Sequence, residues 1–145
     1  MGANPSTIID VGCGTGILAI ALAKLFRSRV IAVDNDINSV EMTKRNIVIN
    51  KVVQYVKVYR STGLTGNHLK SGAKYDLIVA NILFKPIKSL MRSFIQNLSN
   101  SGFLILSGLT IKQARQLKEI SKQFRLKVIN EKKEANWGAL LLKKI

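Results

Sequence analysis

The sequence predicts an α/β domain: a doubly wound, Rossmann-like sheet of seven mostly parallel strands with helices on both faces and a C-terminal antiparallel hairpin. Three observations carry this. Short β-branched runs alternate with longer helical patterns, the alternation that builds parallel sheets. A glycine cluster closes the first apolar run and opens the first helix. The last two apolar runs have no helix between them, so they pair as antiparallel neighbours at one edge.

Taken in order, Thr7 to Val11 is the first strand, and Ile17 to Arg27 the first helix. Leu18, Ala21, Leu22 and Leu25 recur there at helical spacing and are expected to face the core. Val30 to Val33 is the second strand, ending in Asp34. Asp36 or Asn38 caps a helix that runs to about Asn50 with Val40, Ile47 and Val48 as its apolar positions. Val53 to Tyr59 reads as the third strand, followed by a polar loop from Arg60 to Lys74. The apolar run Tyr75 to Asn81 is a buried strand, and Lys85 to Leu98 a helix. A turn at Asn100-Ser101-Gly102 leads into the strand Phe103 to Leu106. Ile111 to Phe124 is amphipathic, with Ile111, Ala114, Leu117, Ile120 and Phe124 in register. Leu126 to Glu131 and Trp137 to Leu142 form the hairpin, joined by the charged turn Lys132-Lys133-Glu134, and Trp137 is expected to pack that hairpin onto the sheet.

No linker, repeat or low-complexity stretch divides the 145 residues, so 1–145 reads as one domain. With 47% hydrophobic residues the chain is globular, and at this length it buries roughly 68–70% of its unfolded surface. One Cys excludes a disulfide framework, and one Cys with one His excludes a Cys/His zinc site within the chain, so no metal is expected. The longest apolar stretch, Ile17 to Ala23, has seven residues, against the ~20 of a bilayer span. MGANPST has no signal architecture, and a cytoplasmic location without membrane partners is the expectation. The formal charge of +15 fits either a nucleic-acid surface or a Lys-rich coding bias.

The chemistry-bearing motif is Asp10-Val11-Gly12-Cys13-Gly14-Thr15-Gly16, between strand and helix. Gly12, Gly14 and Gly16 permit a sharp turn and close approach of a ligand to backbone, and the helix that follows turns its positive end toward the crevice. The spacing G-x-G-x-G is one residue shorter than that of dinucleotide sites, and the Gly-Lys-Ser/Thr ending of a P-loop is missing. Asp34, twenty-four residues after Asp10, stands where an acid accepts both hydroxyls of a ribose. Together they point to a nucleoside ligand without a pyrophosphate. S-adenosylmethionine fits, with Asp10 facing its ammonium and loop N–H groups its carboxylate. Glycines of a tight turn also have a purely steric explanation. Cys13 reads as a small apolar filler, because no base stands near it.

Asn81 ends the fourth strand. If that strand neighbours the first, Asn81 faces the same crevice as Gly12 and can hold a nucleophilic N–H; its other reading is a cap for the helix that follows. DVGCGTGILAIALAKL, VIAVDNDINSVEMTKRNIVIN, YDLIVANILFKPI, SGFLILSGLTIKQ and NWGALLLKKI, in that order, resemble the catalytic domain of class I methyltransferases. Within that class they are most similar to the ribosomal protein L11 methyltransferases (the PrmA type). The first motif is widely shared; ANIL, Ser107-Gly108-Leu109 with Gln113, and Trp137 are narrower.

The resemblance implies that S-adenosylmethionine is the cofactor, with Gly12 at its methionine portion and Asp34 at its ribose. Asn81 then lies beside the cofactor and the acceptor, as the catalytic residue. The acceptors it implies are Lys ε-amino and N-terminal α-amino groups of ribosomal protein L11. Ile82-Leu83, in place of the two prolines of enzymes acting on planar nitrogens, favours an aliphatic amine. Against that family the chain lacks an N-terminal substrate-gripping domain and reads as a truncated catalytic domain. Only MGANPS precedes the first strand, leaving one sheet face short of a covering helix, and Arg60-Ser61-Thr62-Gly63 offers no acid to an adenine amino group. Two other functions stay open: an RNA methyltransferase, and a non-catalytic remnant of the fold. Lys51, Lys57, Arg60, Lys70 and Lys74 form either a phosphate-binding surface or ordinary solvated faces, and His68 reads as a surface residue.

Overall fold

Strand and helix alternate from Thr7 onward in the computed structural model, which describes residues 4–66, 69 and 72–145. The elements are β1 (Thr7–Val11), α1 (Ile17–Phe26), β2 (Arg29–Asp34), α2 (Ile37–Ile49), β3 (Val56–Arg60) and β4 (Tyr75–Asn81). They continue as α3 (Phe84–Asn97), β5 (Leu98–Thr110), α4 (Ile111–Lys122), β6 (Leu126–Glu134) and β7 (Trp137–Lys144). His68 and Lys70 lie outside the described residues.

The seven strands form one sheet in the order β3-β2-β1-β4-β5-β7-β6. β1 to β5 run parallel, and β7 is antiparallel to both β5 and β6, which gives the expected edge hairpin. Strand order reverses between β1 and β4, and a crevice opens above their carboxyl ends. Helices cover both faces. α1 and α2 pack on β1–β3; α3 packs on β4 and β5 and α4 on β5–β7, from the other side. Ile87, Met91 and Phe94 of α3, with Ala114 and Leu117 of α4, close the larger core. α4 begins with a reciprocal cap in which Thr110 Oγ1 accepts from the Gln113 amide and Gln113 Oε1 accepts from the Thr110 amide. Phe103 and Ile105, on the side of β5 away from α3, are only partly buried.

Five elements depart from the sequence expectation. β3 begins at Val56 instead of Val53, because the Tyr55 and Val56 amides turn back onto the Val52 carbonyl. The expected turn Asn100-Ser101-Gly102 lies within β5, which already pairs with β4 at Leu98. The other three are α1, α2 and the hairpin. α1 turns Ala19, Ile20 and Ala23 inward; of the expected face Leu18 and Leu22 pack partly buried against the core, whereas Ala21 is exposed and Leu25 is 72% exposed. The helix is apolar all round but for Lys24, so spacing does not select a side; small Ala19 and Ala23 let it approach the sheet closely. In α2 the buried positions are Val40, Thr43 and Ile47, with Val48 63% exposed, because the Thr43 hydroxyl has a partner inside. The hairpin turn falls at Ala135-Asn136, with Ala135 at φ 49, so Lys132, Lys133 and Glu134 belong to β6. Among the described residues no helix is long and apolar enough to cross a membrane, and no group of three His, Cys, Asp or Glu is placed to hold a metal.

Candidate functional site

The glycine loop stands over the crevice. Gly12, Gly14 and Gly16 all have positive φ, at 78, 56 and 85. A Cβ on Gly12 would lie 2.2 Å from Ile82 Cγ2, and one on Gly16 2.7 Å from Thr43 Cγ2. A Cβ on Gly14 would meet nothing within 4 Å. The first and third glycines therefore serve packing as well as conformation, and only Gly14 faces open space.

The loop is fixed from within. Gly12 and Cys13 donate to the Val33 carbonyl at 2.8 and 3.0 Å, and Gly16 donates to the Cys13 carbonyl at 2.8 Å. Gly14 donates to Asp34 Oδ2 at 2.9 Å. These four amides are thus spent inside the protein, against the expectation that the loop turns them to a ligand carboxylate. From behind, Thr43 Oγ1 donates to the Gly14 carbonyl at 3.0 Å and Asn46 Nδ2 to the Thr15 carbonyl at 2.7 Å. Sequence reasoning missed both residues. The available signal was a polar Thr43 on the stripe between Val40 and Ile47.

Asp34 also accepts from the Asp36 amide at 3.0 Å, and Asp36 caps α2 through the Asn38 and Ser39 amides. The two bonds fix the Asp34 carboxylate at the mouth of a cavity of about 720 Å³, within the size range of ligand sites. Each of its oxygens keeps a lone pair for a further donor. Gly12, Ser61 and Thr62 share that wall, and Ile82, Leu83, Pro86 and Leu90 supply an apolar one. The division suits a ligand with hydroxyls at one end and a flat apolar part at the other.

Asp10 is 1% exposed, beneath the start of α1, where its Oδ2 accepts from the Ala19 amide at 3.1 Å. Its Oδ1 is buried with no partner among the described residues. Burial first, and the nearby Asp34 charge, push its pKa up to about 7, against the Ala19 hydrogen bond. Cys13 is buried beside Thr43, and burial pushes its thiol up to about 11, consistent with a filler rather than a nucleophile.

β1 and β4 are neighbours, with Val11 opposite Ala80. Gly12 therefore touches Ile82, while the adjacent Asn81 turns to a second cavity of about 570 Å³. Leu83, not Asn81, occupies the cap position of α3, which removes the capping explanation for Asn81. A β-bulge in β5 brings Gly108 beneath Asn81 at φ 75, and a Cβ there would lie 2.5 Å from Asn81 Oδ1. Lys132, Lys133, Glu134 and Trp137 form the opposite wall. Trp137 is 60% exposed, so it lines this cavity instead of packing the hairpin onto the sheet. Its place at the start of β7, beside the carboxyl end of β5, explains the difference. The site thus has two cavities divided by Asn81-Ile82, with Asp34 and Gly12 on one side and Trp137 on the other.

Comparison with known proteins agrees with this geometry. The sequence model of the ribosomal protein L11 methyltransferase (PrmA) family matches residues 2–145. Ribosomal protein L11 methyltransferase of Bradyrhizobium diazoefficiens is 34% identical over 142 residues, covering 98% of this chain and 48% of that protein. Its counterpart in Thermotoga maritima is 35% identical over 141 residues, covering 96% of this chain and 50% of the relative. The chain spans about half the length of these curated relatives. Among solved structures, a ribosomal protein L11 methylase from Lactobacillus delbrueckii subsp. bulgaricus superposes with TM-score 0.88 at 27% identity, covering 100% of this chain and 73% of that one. An RNA methyltransferase from Salinibacter ruber, in complex with S-adenosyl-L-homocysteine, shares the fold at TM-score 0.70 and 13% identity, covering 94% and 78%. A family match that runs from residue 2 to the last, with relatives about a third identical over nearly the whole chain, places this chain in the ribosomal protein L11 methyltransferase (PrmA) family.

Proposed function

We propose that the chain is the catalytic part of an S-adenosylmethionine-dependent methyltransferase whose acceptors are amino groups of ribosomal protein L11. The observation that carries this reading is the pair of cavities meeting at Asn81-Ile82, one built for a nucleoside and one for an acceptor. Asp34 would hold the ribose, Ile82 and Leu83 the adenine, and the open side of Gly14 the methionine portion. Asp10, with its unpartnered Oδ1, is the nearest buried carboxyl to an ammonium there. When bound, that cofactor supplies a methyl group on a sulfonium.

The chain's own residues then align the acceptor and exclude water. Asn81 Oδ1 accepts a hydrogen bond from the acceptor amine and so directs its lone pair toward the partition. A Lys amine has an ordinary pKa near 10.4 and must reach the neutral form before it attacks. Lys132 and Lys133 on the cavity wall disfavour a further cation there, partly offset by Glu134 on the same wall and by the Lys133–Glu131 pair, and solvent takes the proton. The apolar wall of Ile82 and Leu83 limits water at the partition.

Calorimetry with S-adenosylmethionine, followed by a methyl-transfer assay on ribosomal protein L11, tests the proposal. Binding that is lost in Asp34→Ala, with transfer to amino groups of L11, is the expected result. A chain that binds no cofactor at millimolar concentration, or that methylates only RNA, overturns it.

A further inference from the structure

The end of the sheet opposite the glycine loop is basic. Arg29, Lys57 and Lys74, from the start of β2, β3 and the start of β4, line a cavity of about 310 Å³ together with Tyr59 and Tyr75. Around the same end of β2, Lys24, Arg27 and Lys51 line a second concavity of about 400 Å³ with Tyr55. Only Ser28 separates Arg27 from Arg29, and the Val30 amide donates to the Tyr55 carbonyl at 2.9 Å, so the two concavities form one band. All six cations are exposed, and among the described residues no Asp or Glu lines either concavity; the nearest acid in the chain, Asp76 beside Tyr75, is held by Ser6, Thr7 and Ser99. Lys24 donates to the neutral Asn50 Oδ1 and Lys74 to the neutral Gln96 carbonyl, and among the described residues neither forms an ion pair.

A second observation points to a ligand. Tyr75 is 4% exposed, and its buried hydroxyl has no hydrogen-bond partner among the described residues. Buried hydroxyls are nearly always satisfied, so a donor left open in a cavity of exposed cations is matched to an acceptor brought from outside. Burial raises its pKa, which keeps it a donor.

We propose that this band is a docking surface for single-stranded RNA, with backbone phosphates at Arg29, Lys57 and Arg27 and a phosphate oxygen at the Tyr75 hydroxyl. Phosphate is the anion that repeats along a strand, as the cations do along the band. Tyr55 and Tyr59, partly exposed among the cations, suit stacked bases, an arrangement invisible in the sequence and made by the fold. A membrane surface would call for a flat face with apolar anchors, and this band is concave. Of the basic residues grouped in the sequence, Lys51, Lys57 and Lys74 belong here, whereas Arg60 lies at the other end of the sheet with its Nε on the Asn35 carbonyl.

The test is fluorescence anisotropy with a labelled oligouridylate over a salt series, on the intact chain. Each phosphate contact contributes about 0.7 to the slope of log affinity against log salt for a single strand, so Arg29→Glu/Lys57→Glu is expected to lower the slope by about 1.4. The same charge change at Lys112→Glu/Arg115→Glu, on the exposed side of α4, leaves it unaltered. Tyr75→Phe weakens binding several-fold without lowering the thermal midpoint, since the lost hydroxyl has no internal partner. If the Arg29/Lys57 variant fails to melt cooperatively, Lys57→Ala alone reads the slope. Absence of RNA binding, equal slope losses in both double variants, or binding to phosphatidylserine vesicles in place of RNA would overturn the proposal.

Discussion

Asn81 and Asp10 show what single residues contribute. Asn81 sits over Gly108 with its side chain directed to the cavity proposed for the acceptor, so Asn81→Ala would remove orientation there and leave the wall proposed for the cofactor intact. Turnover on L11 is expected to fall about 100-fold with cofactor affinity nearly unchanged, a split read from single-turnover kinetics and calorimetry. Asp10 has a pKa of about 7 in the fold against 3.8 ordinarily. Between those values the folded chain holds a proton that the unfolded chain has released. Stability therefore falls as pH rises from about 4 to 7 and levels off above, a cost of up to a few kcal/mol. Asn in its place keeps an acceptor for the Ala19 amide and carries no charge. Denaturant titrations across that range should show a shallower decline in Asp10→Asn; an identical decline would exclude Asp10 as its source. Asp34 and the three glycines were legible in the sequence because their spacing has one steric and one chemical reason. The direction of Trp137 was not, since an aromatic residue at a strand start looks the same whether it faces core or cavity.

Elements were read best where burial leaves no choice. β4 matches its expected bounds, Tyr75–Asn81, because a strand buried on both sides is a continuous apolar run between polar ends. α1 was read only in part for the converse reason, having a single charged residue, Lys24, to mark its outward side. The β1–α1 turn is held by contacts from other elements, and no local pattern reports them: Thr43 and Asn46 reach it from α2, and Ile82 from beyond β4. Gly12→Ala combines a left-handed φ, costing about 1–2 kcal/mol, with a clash against Ile82 costing about 1–3 more. Adding Ile82→Ala should recover the second part, making the double variant more stable than the sum of the singles. Strict additivity in urea unfolding would show that the 2.2 Å approach is not the cause.

Across the whole molecule, charge is sorted by position. Asp10, Asp34 and Asp36 cluster at the glycine loop, while at the opposite end of the sheet the cations outnumber the one nearby acid, Asp76, whose carboxylate is taken up by Ser6, Thr7 and Ser99. A formal charge of +15 on 145 residues repels itself in the compact state. Screening shortens from about 10 Å at 0.1 M salt to about 3 Å at 1 M, so the thermal midpoint should climb by a few degrees across that range of sodium chloride. A flat profile would mean that the basic residues are too far apart to interact. The sum of charges was legible in the sequence, but its sorting was not, because Arg29, Lys57 and Lys74 are far apart in the chain and meet only through the strand order β3-β2-β1-β4.

The single tryptophan has a practical consequence. Trp137 is 60% exposed on the wall facing Asn81, and no second indole contributes background emission. Its fluorescence is therefore a native optical gauge of that compartment, red-shifted and open to iodide quenching when solvent fills it. An arriving peptide would shield it and move the spectrum to the blue, so occupancy can be followed in real time without attaching a dye.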